Sequence, residues 1–209
     1  MEKLIVLFAL VIASLTHANA DTVILQLTGV SSVQQSGYYV GPATGNVNGT
    51  PITMVCDDFA HHVSVGQTWS ATINTFADLS GARFGALTDA VAKYKQAAWL
   101  FDQFALHPSA TSDIQFAIWS LFTPATATST GALSWVNQAQ QQNLGNYDFS
   151  GFRLYTPVDS TSASPQEFIA KLPGAPIPEP ATLLLLGSGL AGIASLLKKR
   201  NRDKDSTDK

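Results

Sequence analysis

Two segments hold the residue types that can do chemistry. Met54-Val55-Cys56-Asp57-Asp58-Phe59 sets the only cysteine of the 209-residue chain beside two carboxylates. Asp113-Ile114-Gln115-Phe116-Ala117-Ile118-Trp119 follows, with the tract Ala97-Ala98-Trp99-Leu100 between them. A cysteine thiolate is a strong nucleophile, and a lone cysteine has no intrachain disulfide partner. Plainer roles stay open beside the chemical ones. Cys56 can be a small buried hydrophobe. Ser112-Asp113-Ile114-Gln115 fits a capping box, with Ser112 at the cap and Gln115 reaching back to it. Trp99 and Trp119 fit core packing better than a carbohydrate platform.

Taken together, these segments resemble the thioester domains of bacterial surface adhesins, over about Tyr38–Phe122. In that family a strand cysteine precedes an aspartate and a later helix opens with Gln-x-Ala-Ile-Trp, here Gln115 to Trp119. The chain departs from the family in having Val55 where an aromatic residue often stands. The resemblance implies that the Cys56 sulfur and the Gln115 side-chain carbon condense into an internal thioester, releasing ammonia. A thiolate and a neutral carboxamide are the groups this needs. Trp119 and Phe122, four and seven residues past Gln115, fall on the same helix face and are expected to wall the bond off from water. An amine, such as a lysine on a neighbouring protein, would then be acylated and held permanently. That event is single-turnover, so no enzyme activity, metal or cofactor is expected.

Asp57, Asp58, His61 and His62 form the densest polar cluster. A secreted hydrolase, or a metal- or ligand-binding protein, using Asp57–His62 is the alternative reading. Neighbouring strand residues point to opposite faces, so at most one His and one Asp would converge. A cysteine protease is excluded: Cys56 falls on an expected strand rather than at a helix N-terminus, and no third partner is identifiable. Thr123–Thr130 lacks regular repetition and reads as a loop. No phosphate-cradling glycine loop, paired-carboxylate signature or zinc spacing is present.

The elements that must position these residues follow from periodicity and punctuation. Asp21–Val30 reads as a strand, with Val23, Leu25 and Leu27 alternating, although Ile24 spoils strict period two. Tyr38–Gly41 and Pro51–Phe59 are further strands, separated by a Gly/Asn-rich turn at Gly45–Gly49, and His62–Thr75 continues as β. Helices are expected over Thr88–Leu106, Ser112–Phe122 and Gly131–Leu144, the first two stopped by Pro108 and Pro124. Phe149–Tyr155 returns to strand. Pro157–Pro176 reads as an irregular edge enclosing a short helix at Gln166–Leu172. The order predicts an α+β fold: a β-rich domain with a two- to three-helix segment.

Both ends read as export signals. Met1–Ala20 has one lysine, an apolar core from Leu4 to Leu15 and an A-x-A site at Ala18-Asn19-Ala20, so a signal peptidase is expected to cut before Asp21 after passage through the Sec translocon. Pro178-Glu179-Pro180 precedes the uncharged run Ala181–Leu197 and then Lys198-Lys199-Arg200. Seventeen helical residues span about 25 Å, near the lower limit for a bilayer, and the basic cluster holds the tail inside. This arrangement resembles the PEP-CTERM sorting signal of Gram-negative bacteria. It implies a transient membrane anchor and cleavage near the motif by an exosortase-type protease. The expected organisation is a signal peptide at 1–20, an extracellular domain at 21–172, a Pro-rich linker at 173–180, a transmembrane helix at 181–197 and a cytoplasmic tail at 198–209.

Between Asp21 and Ile177 the chain carries ten acids against five bases, which argues against nucleic acid as a partner. The functional expectation is an inner-membrane intermediate delivered to the cell surface or extracellular matrix. There it would act in adhesion or as a structural component, bound to surface polysaccharide or protein.

Overall fold

Alternation along the first strand sets the architecture. In the computed structural model, which describes residues 22–126, 129–159, 161 and 163–172, β1 (Thr22–Gly29) buries Val23, Leu25 and Leu27 and turns Ile24 to solvent. The same face is continued by β4 (Ala43–Val47), β5 (Thr50–Cys56), β8 (Phe168–Lys171), β7 (Phe152–Pro157) and β6 (Thr68–Asn74). In that order they pair antiparallel and close on themselves as a six-stranded barrel. Its interior is filled by Leu25, Leu27, Ile52, Met54, Trp69, Tyr155 and Phe168. Closure leaves the barrel itself without an open edge. A separate two-stranded hairpin, β2 (Gln34–Gln35) with β3 (Tyr38–Tyr39), sits between β1 and β4.

Three helices, all inserted between β6 and β7, form a second layer: α1 (Ala90–Leu106), α2 (Thr111–Phe122) and α3 (Thr130–Gln141). His107-Pro108 ends α1, and α2 stops at Thr123 before Pro124, since proline cannot donate to a helix it would extend. Ser129 caps α3 by accepting from the Ala132 N–H at 2.9 Å, and its hydroxyl also donates to Asp113 of α2. Ile114, Ala117, Ile118 and Leu121 of α2 pack with Tyr94 and Leu100 of α1 onto Val55, Leu154 and Ile169. β5, β7 and β8 are therefore buried on both faces, by the barrel interior on one side and the helices on the other. Fully burying each large aliphatic side chain contributes about 1.5–3 kcal/mol.

The expected α+β class holds, and the three helices fall close to their expected bounds. Three local expectations are corrected. Gly45–Gly49 is not one turn: β4 runs through Val47, and only Asn48-Gly49 turns, both at positive φ (49° and 85°) as a two-residue hairpin requires. Gly45 is a strand glycine, because a Cβ there would lie 2.6 Å from the methyl of Met54 on the adjacent strand β5. Gln166–Leu172 is not helical but contains β8, paired to both β5 and β7. His62–Thr75 is strand only from Thr68. The expected signal peptide, sorting motif, transmembrane helix and basic tail lie outside the described residues. Among the described residues no helix is long and apolar enough to cross a membrane.

Candidate functional site

Cys56 ends β5 and faces the barrel interior, one residue pair beyond Met54, so it sits at the barrel mouth. Gln115 lies on the first turn of α2 and is 1% exposed. The fold brings the two together. The Gln115 Nε2–H donates to the Cys56 carbonyl at 2.8 Å, and the Gln115 Oε1 accepts from the Gly41 N–H at 3.2 Å. The Cys56 thiol donates to the Asp58 carbonyl at 3.1 Å. Both residues line a cavity of about 220 Å³ at the mouth, together with Leu27, Tyr38, His62 and Phe168.

The capping-box role for Gln115 is overturned. α2 begins at Thr111 with no side-chain cap, which puts Ser112 inside the first turn. The Gln115 carboxamide is spent on the barrel instead of on its own helix.

The two residues expected to wall off the bond go to different places. Trp119 packs against Phe59 (5.2 Å between ring centroids), Tyr38 (5.8 Å) and Phe116 (5.2 Å), and Tyr38 borders the cavity. Phe122 does not reach it, and packs on Phe84 at 4.6 Å and Tyr94 at 4.9 Å in the helical core. Seven residues along a helix is about 10 Å, which carries Phe122 past the mouth even though it shares Gln115's face.

Sequence reasoning missed the segment that borders the site. Residues 30–41 border the cavity and supply Val30, Ser31, Gly37, Tyr38, Tyr39 and Gly41 to its lining. Ser36, Gly37 and Gly41 adopt positive φ. The glycines at 37 and 41 were the only signal of such a turn.

The electrostatics favour a protonated thiol in the ground state. Burial, then the neighbouring Asp57 carboxyl, pushes the Cys56 thiol well up, while the nearby Trp119 side chain works in the opposite direction.

The Asp57–His62 cluster splits as strand geometry requires. Asp58 ion-pairs with the Arg83 Nε at 3.0 Å and contacts the His61 Nδ1 at 2.9 Å, and Arg83 also donates to Ser164 and the Pro165 carbonyl. This network ties the loop after β5 to the approach to β8. Asp57 turns the other way, is fully buried and has neither carboxyl oxygen hydrogen-bonded. Burial, then Glu167 and Asp58, raises its pKa well above the usual carboxylate range. Glu167, also fully buried, accepts from the Tyr94 and Thr156 hydroxyls and from the Arg83 N–H. Among the described residues, no three of His, Cys, Asp and Glu converge in a group that could hold a metal ion.

The structure thus defines a small closed barrel with a helical layer and a cysteine–glutamine pair at its mouth. Residues 176–200 match the PEP-CTERM protein-sorting motif. That motif implies export, recognition by an exosortase and sorting to the cell surface through a membrane-anchored intermediate. No curated protein and no solved structure matches the chain. The likeness to thioester domains has no support from these comparisons.

Proposed function

We propose that this exported protein is a surface or extracellular-matrix component that attaches covalently through an internal Cys56–Gln115 thioester. The observation that carries the reading is the 2.8 Å hydrogen bond between the Gln115 carboxamide and the Cys56 carbonyl, at a cavity that both residues line. In the proposed chemistry the Cys56 sulfur attacks the Gln115 Cδ, and ammonia leaves with the amide nitrogen and the thiol proton. A primary amine entering the cavity then displaces the sulfur, forming an amide and regenerating the Cys56 thiol. The apolar rings of Tyr38, Phe59 and Trp119 limit hydrolysis in the interval. Asp58 and His61 are committed to Arg83, so nothing comparable favours a hydrolase built on that cluster.

Thiol titration tests the reading. Native protein should resist alkylation, and methylamine should release one reactive thiol per chain. A thiol that titrates freely before methylamine contradicts the reading. The sorting route makes a separate prediction: protein recovered from the cell surface should lack Lys198–Lys209. Recovery of that peptide in surface-released material would show that the chain is not processed.

A further inference from the structure

An acyl transfer at Gln115 develops negative charge at two atoms in turn, first on the acyl oxygen and then on the departing sulfur. The first faces an N–H that the fold has placed there, and a second, buried N–H lies close to the site. The Gly41 N–H lies 3.2 Å from Gln115 Oε1, the atom that remains as the acyl oxygen once the amide nitrogen has gone. Gly41 sits at φ +96°, a conformation that side chains rarely adopt, and a Cβ there would come within 2.6 Å of the Thr111 methyl. The position is thus restricted to glycine by both backbone and packing, and the result is an N–H aimed at Gln115. The second donor is Trp119, 3% exposed, whose indole N–H is buried with no hydrogen-bond partner and whose ring packs on Tyr38 at the cavity. It lies near the Cys56 sulfur, where it favours the ionised form. A buried donor left unpaired is destabilising, which a purely packing role for this residue does not explain.

We propose that the Gly41 N–H and the Trp119 indole N–H are the catalytic donors of this site, Gly41 to the acyl oxygen and Trp119 to the leaving sulfur. The inference rests on the thioester reading and deepens it. The incoming amine attacks Cδ, and the carbonyl π electrons move onto Oε1 beneath Gly41. The carbonyl re-forms as the C–S bond breaks, leaving the electron pair on sulfur beside Trp119. The proton released by the amine ends on Cys56. Donors held in place before the reaction stabilise this charge without reorganising.

The full-length protein, exported and processed by its own host, serves for the test, with methylamine as the probe and intact mass followed over time. Trp119→Phe keeps the ring contacts with Tyr38, Phe59 and Phe116 and removes only the N–H. It should still lose ammonia, yet react with methylamine about tenfold more slowly. Gly41→Ala, which displaces the N–H, should slow the reaction by about a hundredfold. Two readouts separate donation from simple packing. The infrared stretch of the thioester carbonyl should move up in Gly41→Ala but not in Trp119→Phe. In the Gln115→Ala background, the pH profile of Cys56 alkylation should move up when Trp119→Phe is added. Wild-type rates in Trp119→Phe, or slowing with neither signature moved, overturn the proposal while the thioester stands. A wild-type chain of full mass overturns both.

Discussion

Cys56→Ala should abolish covalent amine uptake and leave the domain folded, whereas Gln115→Ala should abolish it and destabilise the domain as well. The asymmetry follows from which atoms make the contacts. Gln115 donates to the backbone carbonyl of residue 56, not to its thiol, and accepts from the Gly41 backbone. Measured against the unreacted chain, in which the carboxamide is intact, removing the thiol disturbs neither bond; it loses the thiol's contact with the Asp58 carbonyl and about 1 kcal/mol of burial. Against the same unreacted chain, and so against Cys56→Ala, truncating Gln115 strands a carbonyl and an N–H, at about 1–3 kcal/mol for each buried group. It also frees residues 30–41 from one of their anchors. Gel detection of a fluorescent amine, with thermal denaturation of the same samples, checks both halves. Residual uptake by Cys56→Ala would mean that another residue forms the bond. Equal loss of stability in the two variants would mean that the thiol, not the carboxamide, holds the barrel mouth together.

The second large effect concerns the carboxyls buried behind the site. Asp57 faces Glu167 in the interior, and its raised pKa means that the folded chain keeps a proton the unfolded chain has already lost. Folding stability is then greatest below the ordinary aspartate value of about 3.9 and falls as pH rises from there toward the raised native value. Inside that window the slope is about 1.4 kcal/mol per pH unit for one proton. Asp57→Asn should flatten the fall, since its amide needs no proton to be neutral. Glu167→Ala should behave differently. It strands the Tyr94 hydroxyl, the Thr156 hydroxyl and the Arg83 N–H together, at about 1–3 kcal/mol apiece. A melting series from pH 4 to 9 on the three proteins reads both effects. A melting temperature that rises with pH in the wild type but not in Asp57→Asn would contradict the assignment.

What the sequence revealed follows the range of the forces involved. β1 and the helices were legible because alternation, apolar stripes and Pro108 or Pro124 are local signals. β8 was not, because Phe168-Ile169-Ala170 is buried on both faces and so shows no alternation. β4 was hidden for another reason. Gly45 punctuates a sequence like a turn, but here it makes room for Met54 of the neighbouring strand. Closure itself depends on β1 pairing with β6 some forty-five residues away, which no local pattern encodes. At the site, Cys56 and Gln115 were recognisable from residue type and order. Their hydrogen bond, the bordering segment at 30–41 and the donors at Gly41 and Trp119 depend on contacts between elements far apart in the chain. Phe122 was misplaced because helical phase gives direction around an axis and says nothing of distance along it.

One weighing decides the central claim. The intact mass of the protein from its native host, measured under non-reducing and amine-free conditions, should fall short of the processed sequence by one ammonia, about 17 Da. Methylamine should then raise it by one molecule of the amine, and Cys56→Ala should show neither step. A wild-type mass equal to that of the processed sequence, unchanged by methylamine, would leave Cys56 and Gln115 as no more than packed and hydrogen-bonded neighbours.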